Sequence, residues 1–489
     1  MSNRIPGALA AALLLAVQAG AQQAPPPLTL QDVIARAQQS GTQAEIARST
    51  RDGARYRHDA FTARLRPQLF LQGNAADLDR GINPITLPDG STQFISQSQN
   101  QSTLTAGFSQ AIPLTGGTIS VGSSVSRIDL FGNTSKQYYQ TTPIVVRLQQ
   151  DLFRPRTLVW NERVQTLAAS VAERSYLEAR EDVAGSAADA FFNLYAAAMG
   201  LRNAEANAAT NDTLFNLNKG RFEVGKIGEN DLLRSELALL RSRAAIDDAR
   251  LARDRAEAAL RRIIAYPAGQ PLSIVTPDSI PNVEPDPAIA VREALKNSSV
   301  AEQNNFDEVA ANRALVTARY NNQFNATINA SAGFNQTASA FGESYQSPLG
   351  KQSLTIGVNM PMLQWGAGKA EVAAAKSDLN RAQVNNRQRR ETLEEEAHFA
   401  ALQLQQARRN IFLAAKADTV AAKQFEVARN RYTTGRISNT DLYNAQDQKD
   451  QALLAYVQSL RGYWTAFYRL RRVTLYDFSA NAPIVEKSR

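Results

Sequence analysis

Residue types that carry catalytic or metal chemistry are scarce in this sequence. The chain of 489 residues has no cysteine, which excludes thiolate nucleophiles, thiolate metal sites and disulfides. Its two histidines, His58 and His398, lie far apart without ligand spacing around them. No carboxylate pair stands out from the many surface acids. We therefore expect no enzymatic activity, no metal site and no cofactor.

One segment has the outline of a phosphate-binding loop. Gly220–Lys226 fits the spacing G-x4-G-K, but Ile227 stands where a P-loop needs Ser or Thr, and no predicted strand precedes it. The formal net charge of +8 is modest for this length, and the basic residues are interspersed with acids. That pattern is typical of a solvated helical surface, so we expect no nucleic acid partner.

The chain repeats itself with an offset of 210 residues. The segment Arg221–Ile227 (RFEVGKI) recurs as Arg431–Ile437 (RYTTGRI), and Asp231 recurs as Asp441. A register held over this length indicates two copies of one structural unit.

Each copy contains a long stretch without proline that predicts a helix of about 66 residues. A glycine follows each stretch, at Gly225 and Gly435, and a returning helix follows the glycine. Both long stretches hold a heptad seam rich in alanine, which lets helices approach closely as in a tightly walled tube, although an ordinary two-helix coiled coil also fits. The seam positions are Val183, Ala187, Ala190, Leu194, Ala197, Leu201 and Ala204, and then Leu393, Ala397, Ala400, Leu404, Ala407, Ile411 and Ala414.

Segments with a period of two precede each long helix. Phe324–Phe334 and Ser353–Met362 alternate apolar residues with Asn, Thr, Ser and Gly, which predicts strands with one apolar face. An uncharged polar face suits a water-filled lumen opposite lipid, and a soluble sandwich is the alternative. The first half has the same pattern and leaves open whether it contributes two strands or four. Aromatic residues near strand ends, where an interfacial girdle belongs, are Phe324, Phe334, Phe341, Tyr345 and Trp365.

The N-terminus predicts export. Arg4, the apolar run Ala8–Val17 and the small residues Ala19–Ala21 have the layout of a secretory signal peptide. No later run is long and apolar enough for a spanning helix, so entry into a membrane would require a closed β-barrel. Four or six strands from one chain cannot enclose an aqueous lumen, and we therefore expect a ring of several copies.

The expected organisation follows from these patterns. It comprises a signal peptide (1–21), a first repeat (22–266), a proline-rich linker (267–287), a second repeat (288–476) and a C-terminal tail (477–489). Barrel strands are expected at about 67–153 and 323–363, and long helical hairpins at about 156–265 and 367–475.

Taken in order, these features resemble the TolC-type outer-membrane factors over essentially the whole mature chain. Leu28–Val33, Pro361–Leu363, Gly366 and Gly368 add to the resemblance. It implies an α+β membrane protein, in which a trimeric transmembrane β-barrel of about four strands per chain, or six if a further hairpin joins, is continuous with a periplasmic α-helical coiled-coil barrel. It also implies the outer membrane of a Gram-negative bacterium as the location.

The resemblance further implies a passive exit duct. Members of that family serve tripartite efflux pumps or type I secretion systems, and they conduct small molecules or exported polypeptide. The implied partners are two further copies of the chain, outer-membrane lipid, a periplasmic adaptor and an inner-membrane transporter of the RND, ABC or MFS type. The alternative is a periplasmic coiled-coil scaffold or binding protein without a channel.

The resemblance also assigns roles at the helical tips. Asp441 matches a ring of inward-facing acids that forms a periplasmic gate, with Asn444 where some relatives carry a second acid. Asp231, Tyr432 and Arg436 match a latch between neighbouring hairpins. Gly225 and Gly435 would mark the tips that an adaptor contacts. Solvated tip residues and simple helix caps are the alternatives.

Overall fold

The computed structural model describes residues 26–131, 135–276 and 280–484, so the predicted signal peptide lies outside the described residues. Within them the helices are α1 (Leu30–Ser40), α2 (Thr42–Arg64), α3 (Thr157–Glu223), α4 (Glu229–Ile263), α5 (Pro287–Asn297), α6 (Ser299–Asn321), α7 (Ala367–Thr433) and α8 (Asn439–Thr474). The strands are β1 (Leu28–Thr29), β2 (Gln68–Asn74), β3 (Leu78–Thr86), β4 (Thr92–Ala111), β5 (Thr118–Phe131), β6 (Lys136–Leu152), β7 (Ile274–Val275), β8 (Asn325–Ala338), β9 (Leu349–Asn359), β10 (Tyr476–Asp477) and β11 (Ala482–Pro483).

The chain divides into two compact units. One contains the described residues up to Ala37 together with Ala187–Ile280. In that unit β1 pairs in parallel with β7, and an ion pair of 3.1 Å joins Arg243 of α4 to Asp212 of α3. The other unit contains Gln38–Ser186 and the chain from Pro281 onward, which includes the large sheet and the α7–α8 hairpin.

The long helices follow the predicted seams. α3 and α7 have 67 residues each, and at 1.5 Å per residue α7 spans about 100 Å. Five of the seven seam positions of α7 are buried, and two of them, Leu393 and Ala397, form a core cluster with Ala294 of α5 and Val473 of α8. Among the described residues, none of the helices carries a stretch long and apolar enough to cross a bilayer.

Residues of α3 hold the junction between α5 and α6. The Arg174 guanidinium donates to the Lys296 carbonyl at the end of α5 (2.8 Å) and pairs with Glu302 of α6 (2.9 Å). One turn later, Glu178 accepts hydrogen bonds of 2.7 Å from the backbone N–H and the hydroxyl of Ser299, the first residue of α6. The Glu178 carboxylate thus supplies the cap that the Ser298 side chain does not give this helix.

Seven of the described strands form one large antiparallel sheet, in the order β2-β4-β5-β6-β8-β9 with β3 also paired to β4. β3 pairs with the N-terminal part of β4 (92–100), and β2 pairs with its C-terminal part (103–109). β2 and β3 therefore lie end to end beside β4 and fill a single strand position in the sheet. The first half therefore contributes four positions and the second half two. Of the two alternatives that the sequence left open, the structure shows the larger.

The two faces of this sheet have different chemistry. Along β8 and β9 the apolar face carries Ile328, Ala330, Leu354 and Ile356, and the polar residues between them point to the other face. The apolar face continues through Phe108, Val121 and Val146, which lie in one cross-strand row. Its larger members are exposed in the isolated chain: Leu69, Leu71, Phe108, Leu354, Ile356 and Val358.

Candidate functional site

The glycines at the helical tips close both long helices with the same motif. At the end of α3 the Lys226 N–H donates to the Arg221 carbonyl (2.8 Å) and the Gly225 N–H to the Phe222 carbonyl (2.9 Å). The end of α7 repeats this pattern around Gly435. Both glycines have positive φ, 71° and 73°, as a Schellman motif requires. Gly220–Lys226 is thus a helix end and not a phosphate loop.

The returning helices begin differently in the two copies. In α8 the Ser438 hydroxyl accepts from the Asp441 N–H (3.2 Å), and the Asp441 carboxylate accepts from the Ser438 N–H (3.2 Å) and hydroxyl (2.8 Å). This reciprocal pair is a capping box. In α4 the equivalent N-cap is Gly228, which has no side chain to form one. The predicted gate acid Asp441 therefore also stabilises the start of its helix.

The other predicted tip residues differ in exposure. Asn444 and Arg436 are exposed, Asp231 is half-buried, and Tyr432 is 4% exposed at the end of α7. Asp231 belongs to one compact unit, whereas Tyr432 and Arg436 belong to the other. The latch formed by these three residues stays a prediction, as does the gate.

A polar stripe on α8 near the tip was not predicted from the sequence. Asn439 and Gln446 are buried, and burial raises the pKa of Tyr443 to about 12. Within the described residues, the Tyr443 hydroxyl and the Gln446 Oε1 atom are buried without a hydrogen-bond partner. Asn439, Tyr443 and Gln446 follow one another at spacings of four and three residues, which places them on one face of α8. That spacing could have predicted the stripe, but polar residues near a helical tip also fit a solvated face.

The polar face of the sheet is organised in cross-strand rows. One row contains a single residue from each strand position: Gln68, Ser109, Ser120, Arg147, Ser331 and Ser353. The next row contains Phe70, Gly107, Gly122, Val145, Gly333 and Lys351. The alternation is visible in the sequence, but these rows are not, because a row depends on the register between strands.

Aromatic side chains lie at both ends of the apolar face. At one end, Phe341 contacts Tyr139 and Tyr345 with ring centroids 5.7 and 5.5 Å apart. At the other end, Phe153 and Phe324 are 5.8 Å apart, close to where the strands pass into α3 and out of α6. Trp365 is 90% exposed just before α7. Aromatic belts at two levels are typical of membrane interfaces.

The two histidines are not brought together with other potential ligands. His58 lies on α2 with its Nδ1 atom 3.7 Å from an Asp59 carboxylate oxygen, and His398 lies on α7 against the Phe399 ring. In the part of the chain that the structure describes, no group of three or more His, Asp or Glu side chains is placed to hold a metal ion.

Comparison with known proteins adds to this geometry. The family model described as "Outer membrane efflux protein" matches residues 91–265 and 289–474. A search of curated proteins gave no match. Similar solved structures include the CmeC outer membrane channel of Campylobacter jejuni, at 15% identity, covering 100% of this chain and 96% of that chain with a TM-score of 0.66.

Two further solved structures have the same fold. The outer membrane protein VceC of Vibrio cholerae is 14% identical over 91% of this chain and 95% of that chain, with a TM-score of 0.65. The MtrE outer membrane channel of Neisseria gonorrhoeae is 15% identical over 91% of this chain and 88% of that chain, with a TM-score of 0.60. The family match spans both repeats and most of the chain, and the chain therefore belongs to the outer membrane efflux protein family.

Proposed function

We propose that the protein is the outer-membrane exit duct of a tripartite efflux pump and that it works as a ring of three identical chains. Membership of the outer membrane efflux protein family and the fold shared with outer-membrane channels support the duct. In this proposal the chain is a passive conduit for small molecules and performs no catalytic step. Export of polypeptide in a type I secretion system is the second candidate.

The single observation that carries the proposal is a two-faced sheet with two open edges. Within the described residues, β2 pairs only with β4 and β9 only with β8, so the far side of each edge strand has no strand partner. Unpaired backbone groups cannot face lipid, because no water is present to satisfy them. Pairing of β9 with β2 of a neighbouring copy removes both edges. With six positions per chain, three copies would close a barrel of eighteen strands.

The same proposal assigns the helical tips to partners. The turns at Gly225 and Gly435 would meet a periplasmic adaptor, and an inner-membrane transporter of the RND, ABC or MFS type would supply the energy. Support comes from the matching Schellman turns at Gly225 and Gly435, which present two similar exposed turns per chain. A three-fold ring would then offer six similar turns to an adaptor.

Membrane extraction and mass measurement test the duct. Washing membranes with alkaline carbonate should leave the protein in the pellet, and native mass spectrometry in detergent should give the mass of three chains. Release into the supernatant as a monomer would favour the periplasmic scaffold and contradict the proposal.

Crosslinking from a tip tests the adaptor. The chain has no cysteine, so Val224→Cys introduces a unique thiol at a position that is 68% exposed. A thiol-linked photoreactive group there should capture a periplasmic adaptor in cells. Leu240→Cys, 56% exposed on α4, is the matched control and should capture much less of it. Equal capture at both positions would show that the tip is not the specific site of adaptor contact.

A further inference from the structure

The polar face of the sheet places one arginine in a row of hydroxyl groups. Arg147 of β6 is directly opposite Ser120 on one side and Ser331 on the other, and Ser109 and Ser353 follow in the same row. Directly opposite residues of an antiparallel pair have Cβ atoms about 5 Å apart. A groove of about 260 Å³ lies on this face, lined by Arg147, Thr118, Ser120, Asn329, Ser331, Ser353 and Thr355 among others.

The positive charge in this groove is not neutralised. Arg147 has no acidic partner among the described residues. The acid nearest along β6 on the same face is Asp151, which pairs with Arg154 at 2.5 Å and accepts from the Thr327 hydroxyl at 3.2 Å. A second cation, Lys351, lies one row further along the face and two strands away, roughly 10 Å in the lateral direction.

Lys351 is exposed in the isolated chain, and its neighbour on β8 does not cover it. That neighbour is Gly333, where an added Cβ would clash with the Ile144 carbonyl oxygen. Glycine is therefore required there, and no side chain shields the lysine on that side. Among the described strand residues, the register places three cations on the polar face, Arg147, Lys351 and Lys136, and two acids, Asp151 and Asp79. The net charge of the polar face is therefore positive.

In the proposed duct, the Arg147 row lies at membrane depth. On the opposite face, the rows on either side of it carry Phe108, Val121 and Val146, and then Ile119, Leu148 and Leu354. Those apolar rows face lipid in the proposed duct. Arg147 then points into the water-filled lumen, in a part of the wall where the low-dielectric lipid strengthens its field.

We propose that Arg147, flanked by its serine row and supported by Lys351, forms a positively charged ring in the lumen that favours solutes carrying an oxyanion group. This inference rests on the proposed function. A guanidinium offers a planar fork to carboxylate, sulfonate or phosphate, and the adjacent hydroxyls donate further hydrogen bonds. Rings of Arg or Lys give pores a preference for anions.

Thiol modification measures the charge of this ring directly. Ser331→Cys places a unique thiol beside Arg147, because the chain has no other cysteine. Outer-membrane vesicles are treated from outside with two methanethiosulfonate reagents, one carrying a sulfonate and one a trimethylammonium group. The anionic reagent should react about five-fold faster than the cationic one, as expected for a potential of roughly one kT.

Substitutions then assign the preference to Arg147. Adding Arg147→Gln should reduce the ratio of the two rates several-fold, whereas Arg147→Lys should retain it. Arg127→Gln is the matched control, since Arg127 lies on the opposite face of the same sheet and pairs with Asp129 at 3.0 Å. That control should leave the ratio unchanged.

The outcomes separate this inference from the duct itself. Equal rates for the two reagents, or a ratio that Arg147→Gln does not change, would overturn the charged ring while leaving the duct intact. Failure of both reagents to react with the introduced thiol would mean that the polar face does not line water, which contradicts the duct.

Discussion

At the scale of single residues, Asp441 has two roles that must be separated. The structure gives it a capping box with Ser438, and the family resemblance gives it a place in a periplasmic gate. Replacement by alanine would remove both the charge and the cap, so its effect on conductance would be ambiguous. An amide can still accept the capping hydrogen bonds without carrying a charge.

We therefore predict that Asp441→Asn raises single-channel conductance in planar bilayers, because it removes the gate charge but keeps the cap. Ser438→Ala, which breaks the cap and keeps the charge, should leave conductance near the wild-type value and lower thermal stability by about 1 kcal/mol. If Asp441→Asn leaves the conductance unchanged, Asp441 is a helix cap and not part of the gate.

A second prediction concerns Gly225, where φ is 71°. Gly225→Ala should destabilise the protein by about 1 kcal/mol, because alanine is strained in this conformation. Gly220→Ala lies five residues earlier inside α3, where the new Cβ meets nothing within 4 Å apart from its chain neighbours and its own helical backbone, and it should stabilise by about 0.5–1 kcal/mol. Thermal unfolding in detergent measures both. The same sign for the two variants would contradict the assignment of the Schellman turn.

At the scale of elements, the α5–α6 junction depends on a carboxylate held in an unfavourable environment. Burial raises the pKa of Glu178, although the Ser299 hydrogen bonds and the charge of Arg472 oppose the rise. The folded protein thus binds the Glu178 proton up to a higher pH than the unfolded chain does. This carboxyl group contributes a stability that is present below its ordinary pKa and lost as the pH rises through the raised value.

We predict that Glu178→Gln removes this part of the pH dependence. The amide can accept from the Ser299 N–H and donate to its hydroxyl, so the cap of α6 is preserved. The melting temperature of the wild type should fall relative to the variant between pH 4 and 7. Glu302→Gln, on the facing helix, keeps Glu178 and should keep the decline. Parallel curves for wild type and Glu178→Gln would refute the prediction.

At the scale of the whole molecule, the orientation of the sheet decides the function. The apolar face carries large exposed side chains in the isolated chain, including Ile356 at 59%. The opposite face of the same strand carries Ser353 and Thr355. The polar face also carries Arg147, and a charge at the bilayer midplane of a barrel costs about 2–4 kcal/mol. Only the apolar face can therefore meet lipid without a large cost.

Two lysine substitutions on β9 test this orientation. Ile356→Lys should reduce the amount of assembled protein in the outer membrane and lower its melting temperature, because it places a charge in lipid. Ser353→Lys, on the polar face, should assemble normally. The amount of heat-resistant oligomer on a gel measures the difference. If Ser353→Lys is the harmful one, the faces are reversed.

Much of the fold could be predicted from residue patterns. The alternation at Phe324–Phe334 and the doubled tip motif predicted the strands of the second half and the Schellman turns, since both depend on neighbours close in sequence. The site at the tips could be located by the repeat. The partners of Tyr432 and Asp231 could not be derived, because they depend on contacts between distant segments.

The sequence by itself determined which residues share a face, where the chain turns and that the chain is duplicated, because side-chain periodicity and turn chemistry are local properties. Only the tertiary structure decided that the first half supplies four sheet positions and that Arg147 stands in a row of serines. The physical reason is that cross-strand neighbours are set by the register between segments as far apart as β6 and β8. A shift of one residue would place Arg147 on the other face.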